Sequence, residues 1–191
     1  MKSIYIFILF VIVAIAQILV PANMILDKEH IISNGKVYKF KTRPIDPTDA
    51  FRGKYIALDF EADVFQTRDS LWKRGEDIYV YLKTDSLGYV QIQDVSKEVL
   101  EYADVEFIMA QAGMYNNYNN KLFIKYPFDR FYMEEYKAYE AELAVQENQR
   151  DSLLDDVYAL VYVKNGEAVL KDVSINDMPI KDYVAMRLNE K

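Results

Sequence analysis

The feature that most constrains this chain is its first 26 residues. Ile4 to Val20 is apolar apart from Gln17, and the run resumes through Ala22, Met24, Ile25 and Leu26 before stopping at Asp27-Lys28-Glu29. A helix over these positions reaches roughly 34 Å at about 1.5 Å per residue. That exceeds a hydrocarbon core of about 30 Å. No other segment is as long without a charge. Lys2 and the terminal amine precede the run and few basic residues follow closely. The excess of positive charge on the cytoplasmic side then places the N-terminus inside and 27–191 outside. The expectation is a single-pass transmembrane anchor over 1–26 and an extracytoplasmic domain over 27–191. The alternative is a cleaved signal peptide, because Ala14-Ile15-Ala16 has the small-x-small form after an apolar stretch. Cleavage near Ala16 would leave the greasy segment Gln17–Leu26 as a mature N-terminus, which favours the uncleaved anchor.

Composition removes several function classes. Of 191 residues, 23 are Lys or Arg and 30 are Asp or Glu, a net charge of −7. That balance lacks the basic footprint of a nucleic-acid binder and does not favour anionic lipid head groups. Cysteine is absent, which excludes disulfides, thiolate metal sites and thiol catalysis. His30 is the single histidine, so multi-His metal sites and a Ser-His-Asp triad are not expected. No cofactor or metal is expected.

The rest reads as mainly β (α+β). Alternating runs rich in Val, Ile, Tyr and Phe fall at 36–41, 54–64, 77–83, 88–94, 104–110, 121–126, 157–164 and 167–175. Asn165-Gly166 between the last two is a type I′ hairpin signal. Asp85-Ser86-Leu87-Gly88 and 116–120 read as further turns. Two stretches echo each other: Asp77 to Lys83 ending at Asp94-Val95-Ser96, and Asp156 to Lys164 ending at Asp172-Val173-Ser174. With 36–41 paired to 54–64, and 104–110 to 121–126, the echo suggests two related four-strand antiparallel units, over 33–100 and 101–191. One amphipathic helix is expected from an N-cap at Asp129 to about Arg150, with Tyr132, Tyr136, Tyr139 and Leu143 on one face. A second helix is expected at 180–188.

The most distinctive stretch is Arg43 to Glu61, RPIDPTDAFRGKYIALDFE. Pro44 and Pro47 stiffen a loop, Asp46 and Asp49 can bond nearby backbone N–H groups, and Gly53 stands where the loop meets a strand. In that strand Ile56, Leu58 and Phe60 share one face, and Tyr55, Ala57, Asp59 and Glu61 the other. The stretch resembles the motif of the GDYXXLXY family of bacterial membrane-anchored proteins. The family's glycine falls on Gly53, its first tyrosine on Tyr55 and its leucine on Leu58. Lys54 replaces its aspartate and Phe60 its last tyrosine. Pro44 to Pro47, Phe51-Arg52, and Tyr126 to Tyr132 also look like the family pattern. The resemblance implies a protein of the bacterial cytoplasmic membrane, often beside multi-pass membrane proteins, with no established activity.

Candidate chemistry is thin. A Ser-Lys membrane peptidase is similar in outline around Asp46-Pro47-Thr48, but Ile45 and Asp46 stand where its serine would be, and a lysine base without a nucleophile does no acyl transfer. Asp59 with Glu61, or Asp46 with Asp49, could form carboxylate pairs at glycosidase-like separations. Trp72 reads as a partly buried lid, with a loop residue available for binding as the alternative. The expectation is a non-enzymatic envelope accessory module that contacts a multi-pass membrane partner through Arg43, Asp46, Asp49, Arg52, Gly53, Lys54 and Tyr55. The second reading is a module binding cell-wall glycan or peptide through exposed rings, and the third an unrecognised hydrolase.

Overall fold

A computed structural model describes residues 2–43, 55–100, 105–134, 137, 140, 141, 143–145, 147 and 156–189. The N-terminal helix, Lys2–Asn34, is longer than the apolar run that predicts it. Its portion Ile4–Asn34 is long and apolar enough to cross a membrane and is exposed along its apolar window. Residues 27–34 add two turns, and Ile31 in them is buried against the domain.

Eleven strands follow: β1 Lys36–Lys41, β2 Tyr55–Ala57, β3 Val64–Gln66, β4 Asp77–Thr84, β5 Val90–Ser96, β6 Phe107–Asn116, β7 Lys121–Lys125, β8 Arg130–Tyr132, β9 Val157–Lys164, β10 Glu167–Ile175 and β11 Met178–Pro179. They form a five-stranded sheet β3-β7-β6-β4-β5, a four-stranded sheet β1-β9-β10-β11, and the pair β2-β8. All their pairings are antiparallel. The expected mainly β domain after an N-terminal helix is what forms. The hairpin signals hold because they are local. Asn165 and Gly166 both have positive φ (52° and 85°), as a type I′ turn requires, and Gly88 and Asn120 also turn at positive φ.

Pairing between distant segments departs from the expectation. β1 pairs with β9, not with the 54–64 segment, whose backbone is joined to this part of the chain by an isolated Thr42–Phe60 bridge just past the end of β1. The 54–64 segment is not one strand. It is β2, then irregular residues, a 3-10 turn at Glu61–Asp63 kinked at Ala62, then β3. The break lets the chain leave β8 and join β7 in another sheet. The 104–110 strand extends to Asn116, past a bulge between Ala112 and Tyr115. The five-stranded sheet mixes strands from both sides of residue 100, so the sheets do not follow two tandem units. Asp129 precedes β8 and is no helix N-cap, and Tyr132 is an exposed strand residue. Described residues within 137–147 are helical and bury Ala141, Ala144 and Val145, while Leu143 is only half-buried. Tyr136 and Tyr139 lie outside the described residues. The C-terminal helix, Ile180–Asn189, forms as expected and buries Ile180 and Val184.

One core unites the sheets. Ile78, Val80, Ile108 and Leu122 from the five-stranded sheet join Phe40, Val161, Val163 and Val173 from the four-stranded one. Near its centre Phe40 meets Phe60, Tyr126 and Phe128 edge-on or tilted, with ring centroids 5.2–5.4 Å away.

The helix joins this core without a linker. The Gly35 N–H donates to the Ile31 carbonyl at 2.7 Å and closes the helix. A Cβ on Gly35 would lie 2.5 Å from that oxygen and 2.9 Å from the Val163 carbonyl oxygen, so the backbones approach as only glycine permits. Lys28 pairs with Glu167 at 3.5 Å, and the Lys164 ammonium lies 2.7 Å from His30 Nε2. His30 therefore sits in the joint between helix and domain.

Candidate functional site

The described part of the distinctive stretch divides between core and surface. Ile56, Leu58 and Phe60 are buried, as their shared face predicts. Tyr55 turns outward, its ring 5.4 Å from that of Tyr132 across the β2-β8 pair, with the Arg130 guanidinium 4.9 Å from its centroid. The Leu58 N–H donates to the Asp129 carbonyl at 2.9 Å. Residues 55–58 therefore lie along 129–132 and hold that segment in place.

At the other end of the stretch, Arg43 is clamped. Its backbone N–H donates to the Asp59 carbonyl at 2.8 Å. Its Nη2 donates to both Asp59 carboxylate oxygens at 3.1 Å and to Asp63 Oδ2 at 2.5 Å. Burial pushes the Asp63 carboxyl up to about 6, with Arg43 pulling it down and Asp59 adding to the rise. Asp63 Oδ1 is buried without a partner. The Tyr126 hydroxyl donates to the Ala62 carbonyl at 2.6 Å and fixes the kink that presents Asp63. A cavity of about 220 Å³ lies here between Leu58, Asp59, Asp63, Ile124 and Asp129.

A larger groove of about 640 Å³ shares Lys125, Tyr126 and Asp129 with that cavity. Its floor is the outer face of β4, β6 and β7, carrying Asp77, Tyr79, Met109, Gln111 and Lys125. Its wall is 127–130, the segment that residues 55–58 support. Another groove, of about 620 Å³, lies over Trp72. Its groups are largely committed: Lys97 sits 5.1 Å from the Trp72 ring centroid, donates to the Leu71 carbonyl and pairs with Glu76. Trp72 packs half-buried on the core, as the lid reading expects.

Of the residues expected to form a contact surface, Arg43 and Tyr55 are described. Asp46, Asp49, Arg52, Gly53 and Lys54 lie outside the described residues. The Asp59–Glu61 pair does not converge, because Asp59 binds Arg43 while Glu61 pairs with Lys41 at 3.5 Å. Among the described residues no cluster of three or more His, Asp or Glu has metal-binding geometry. Sequence reasoning passed over Asp63, Gln111, Lys125 and Arg130. For Arg130 a signal existed in the family-like stretch Tyr126 to Tyr132. For Asp63 the four-residue spacing from Asp59 carries no meaning until the kink is known.

The family model of the GDYXXLXY protein matches residues 17–173. The chain belongs to the GDYXXLXY family. No curated protein and no solved structure matches it. The geometry gives the GDYXXLXY motif a physical reading in this chain. Its first tyrosine, Tyr55, stacks the groove wall, and its leucine, Leu58, anchors the core. Its last tyrosine is Phe60, whose ring is 3% exposed among Phe40, Tyr126 and Phe128. A hydroxyl buried there would need a partner of its own.

Proposed function

We propose that this protein is a single-pass, uncleaved membrane module of the bacterial cytoplasmic membrane, with its N-terminus inside and its β domain outside. In this reading its role is non-enzymatic: it positions or assists a multi-pass protein in the same membrane, with the Arg43–Tyr55 stretch as the contact surface. The observation that carries the reading is the joint at Gly35. A domain meant to search a distant cell wall is served by a flexible linker. Here the helix runs straight into β1 and is packed on β9 and β10, an arrangement that supports a domain held close to the bilayer. The clamp at Arg43 supports the same reading, because it fixes one end of the contact stretch.

The groove of about 640 Å³ favours a second reading, a glycan- or peptide-binding module. A hydrolase gains less. Asp63 has the raised carboxyl that an acid catalyst needs, but Asp63 and Asp59 are both spent on Arg43.

The test exploits the absence of cysteine. Leu87 is 77% exposed at a turn tip. A Leu87→Cys chain should react in intact cells with a membrane-impermeant maleimide, and protection until lysis would overturn the orientation. Affinity capture from mild detergent should then recover a multi-pass protein with the full chain, and lose it with Arg43→Ala or with a flexible insert between Asn34 and Gly35. Capture unaffected by both changes would sink the positional role.

A further inference from the structure

We propose that the groove between the outer face of β4-β6-β7 and the 127–130 wall is a binding site for a neutral, hydroxyl-rich sugar at the membrane surface. The argument starts from register. Asp77 stands opposite Gln111, and Gln111 opposite Lys125, in one row across three adjacent strands. At about 4.8 Å between strands, this places a carboxylate, an amide and an ammonium group side by side over roughly 10 Å. All three are exposed in the groove, and none has a side-chain hydrogen bond or ion pair among the described residues. Beside the motif, Arg43, Asp59, Glu61 and Asp63 are all paired, whereas this row is not.

The next row along the same face is apolar. Tyr79 stands opposite Met109, and Phe107 meets the Tyr79 ring edge-on at 5.5 Å, which holds it as a platform. A sugar presents the matching pair of surfaces. Its hydroxyls each donate and accept, and so can use a carboxylate, an amide and an ammonium at once. Its C–H face packs on an aromatic ring and a thioether. Other ligand classes fit less well. An apolar ligand would strand three polar groups out of water. A phosphate or uronate that reached Lys125 would meet Asp77 and Asp129, and Arg130 is already drawn to Asp129 at 3.7 Å.

The groove also lies beside the helix exit. The Met109 N–H donates to the Gly166 carbonyl at 2.8 Å, and the neighbouring Glu167 pairs with Lys28, two residues past the apolar run. A sugar carried on a lipid headgroup is therefore within reach. Only this membrane source rests on the anchoring reading; the sugar site itself does not.

The test uses the full chain in nanodiscs of phosphatidylethanolamine and phosphatidylglycerol, free of sugar detergents. One arm adds maltose, cellobiose or N,N′-diacetylchitobiose and reads saturation-transfer NMR. The other builds diglucosyldiacylglycerol into the disc and reads the same transfer to its sugar protons. The expected result is transfer to sugar ring protons, weakened about tenfold or more by Gln111→Ala and by Tyr79→Ala, and unchanged by Gln66→Ala in the Trp72 groove. Both substituted side chains lie on the outer face of the sheet, and thermal unfolding confirms that the variants fold. Binding of free disaccharide alone supports the site with a soluble glycan, whatever the fate of the anchoring reading. Binding of the glycolipid alone supports the site with a membrane source. Transfer in neither arm, or transfer that Gln111→Ala and Tyr79→Ala leave intact, overturns the proposal.

Discussion

The six-residue strand β1 is held at its two ends by opposite kinds of physics. At its start, Gly35 fits because backbone atoms of Ile31 and Val163 leave no room for a Cβ. Just past its end, Arg43 is held by two carboxylates, one of them half-protonated near pH 6. A steric joint has one state, and nothing in the solvent changes it. An electrostatic clamp follows pH and ionic strength. The helix-to-domain geometry is thus built as a constant, while the base of the family's motif stretch is built as a variable.

Gly35→Ala attacks the constant and should have the largest effect. The new Cβ meets backbone on both sides, so either the helix unseats from β9 or the sheet shifts. Overpacking of this kind costs about 1–3 kcal/mol, and the upper end applies where no flexible side chain can yield. Urea unfolding of the full chain, followed by Trp72 fluorescence, should show the loss. A stability unchanged within error would mean that the joint is looser than its contacts indicate, and the positional role would lose its main support.

Asp63 tests the variable. Its folded carboxyl titrates near 6, above its unfolded value of 3.8, so the folded state binds more protons between those limits. Its contribution is therefore fully present below about pH 4 and is lost as pH rises through 6. The loss is about 2–3 kcal/mol at most. Asp63→Asn should remove this dependence, so the difference in stability between wild type and variant should move against the wild type as pH climbs from 4 to 7. A difference that stays flat, or runs the other way, would show that Arg43 outweighs burial and keeps the carboxyl ionised throughout.

The same contrast separates what could be read in advance from what could not. The apolar run, the Asn165-Gly166 turn and the burial of Ile56, Leu58 and Phe60 were legible because each depends on neighbours within a few residues. The partner of β1 was not, because β9 lies more than a hundred residues away and 54–64 offers an equally good alternating pattern. The kink at Ala62 was hidden for the same reason: the Tyr126 hydroxyl that fixes it stands 64 residues further along the chain, just past β7. Asp129 has the right chemistry for a helix N-cap, yet pairing of Arg130–Tyr132 with β2 claims the backbone first. The groove row of Asp77, Gln111 and Lys125 needs two registers at once, and no local pattern in the chain marks it.

Tyr55 lies between the two regimes and should give the smallest effect. Its ring packs beside the exposed Tyr132 and under Arg130, so it is neither locked like Gly35 nor charged like Asp63. An aromatic pair of this kind contributes about 0.5–1.5 kcal/mol, and exposure places this one at the low end. Tyr55→Phe keeps the ring and should change unfolding little; Tyr55→Ala should cost about 0.5 kcal/mol. The more telling readout is the wall. If Tyr55 serves to hold Arg130 and 127–130 beside the groove, amide hydrogen exchange at 129–132 should quicken in Tyr55→Ala while β4 and β6 stay protected. Equal protection of the wall in both variants would mean that the Leu58–Asp129 bond alone fixes it, and that the motif's tyrosine faces outward for a partner.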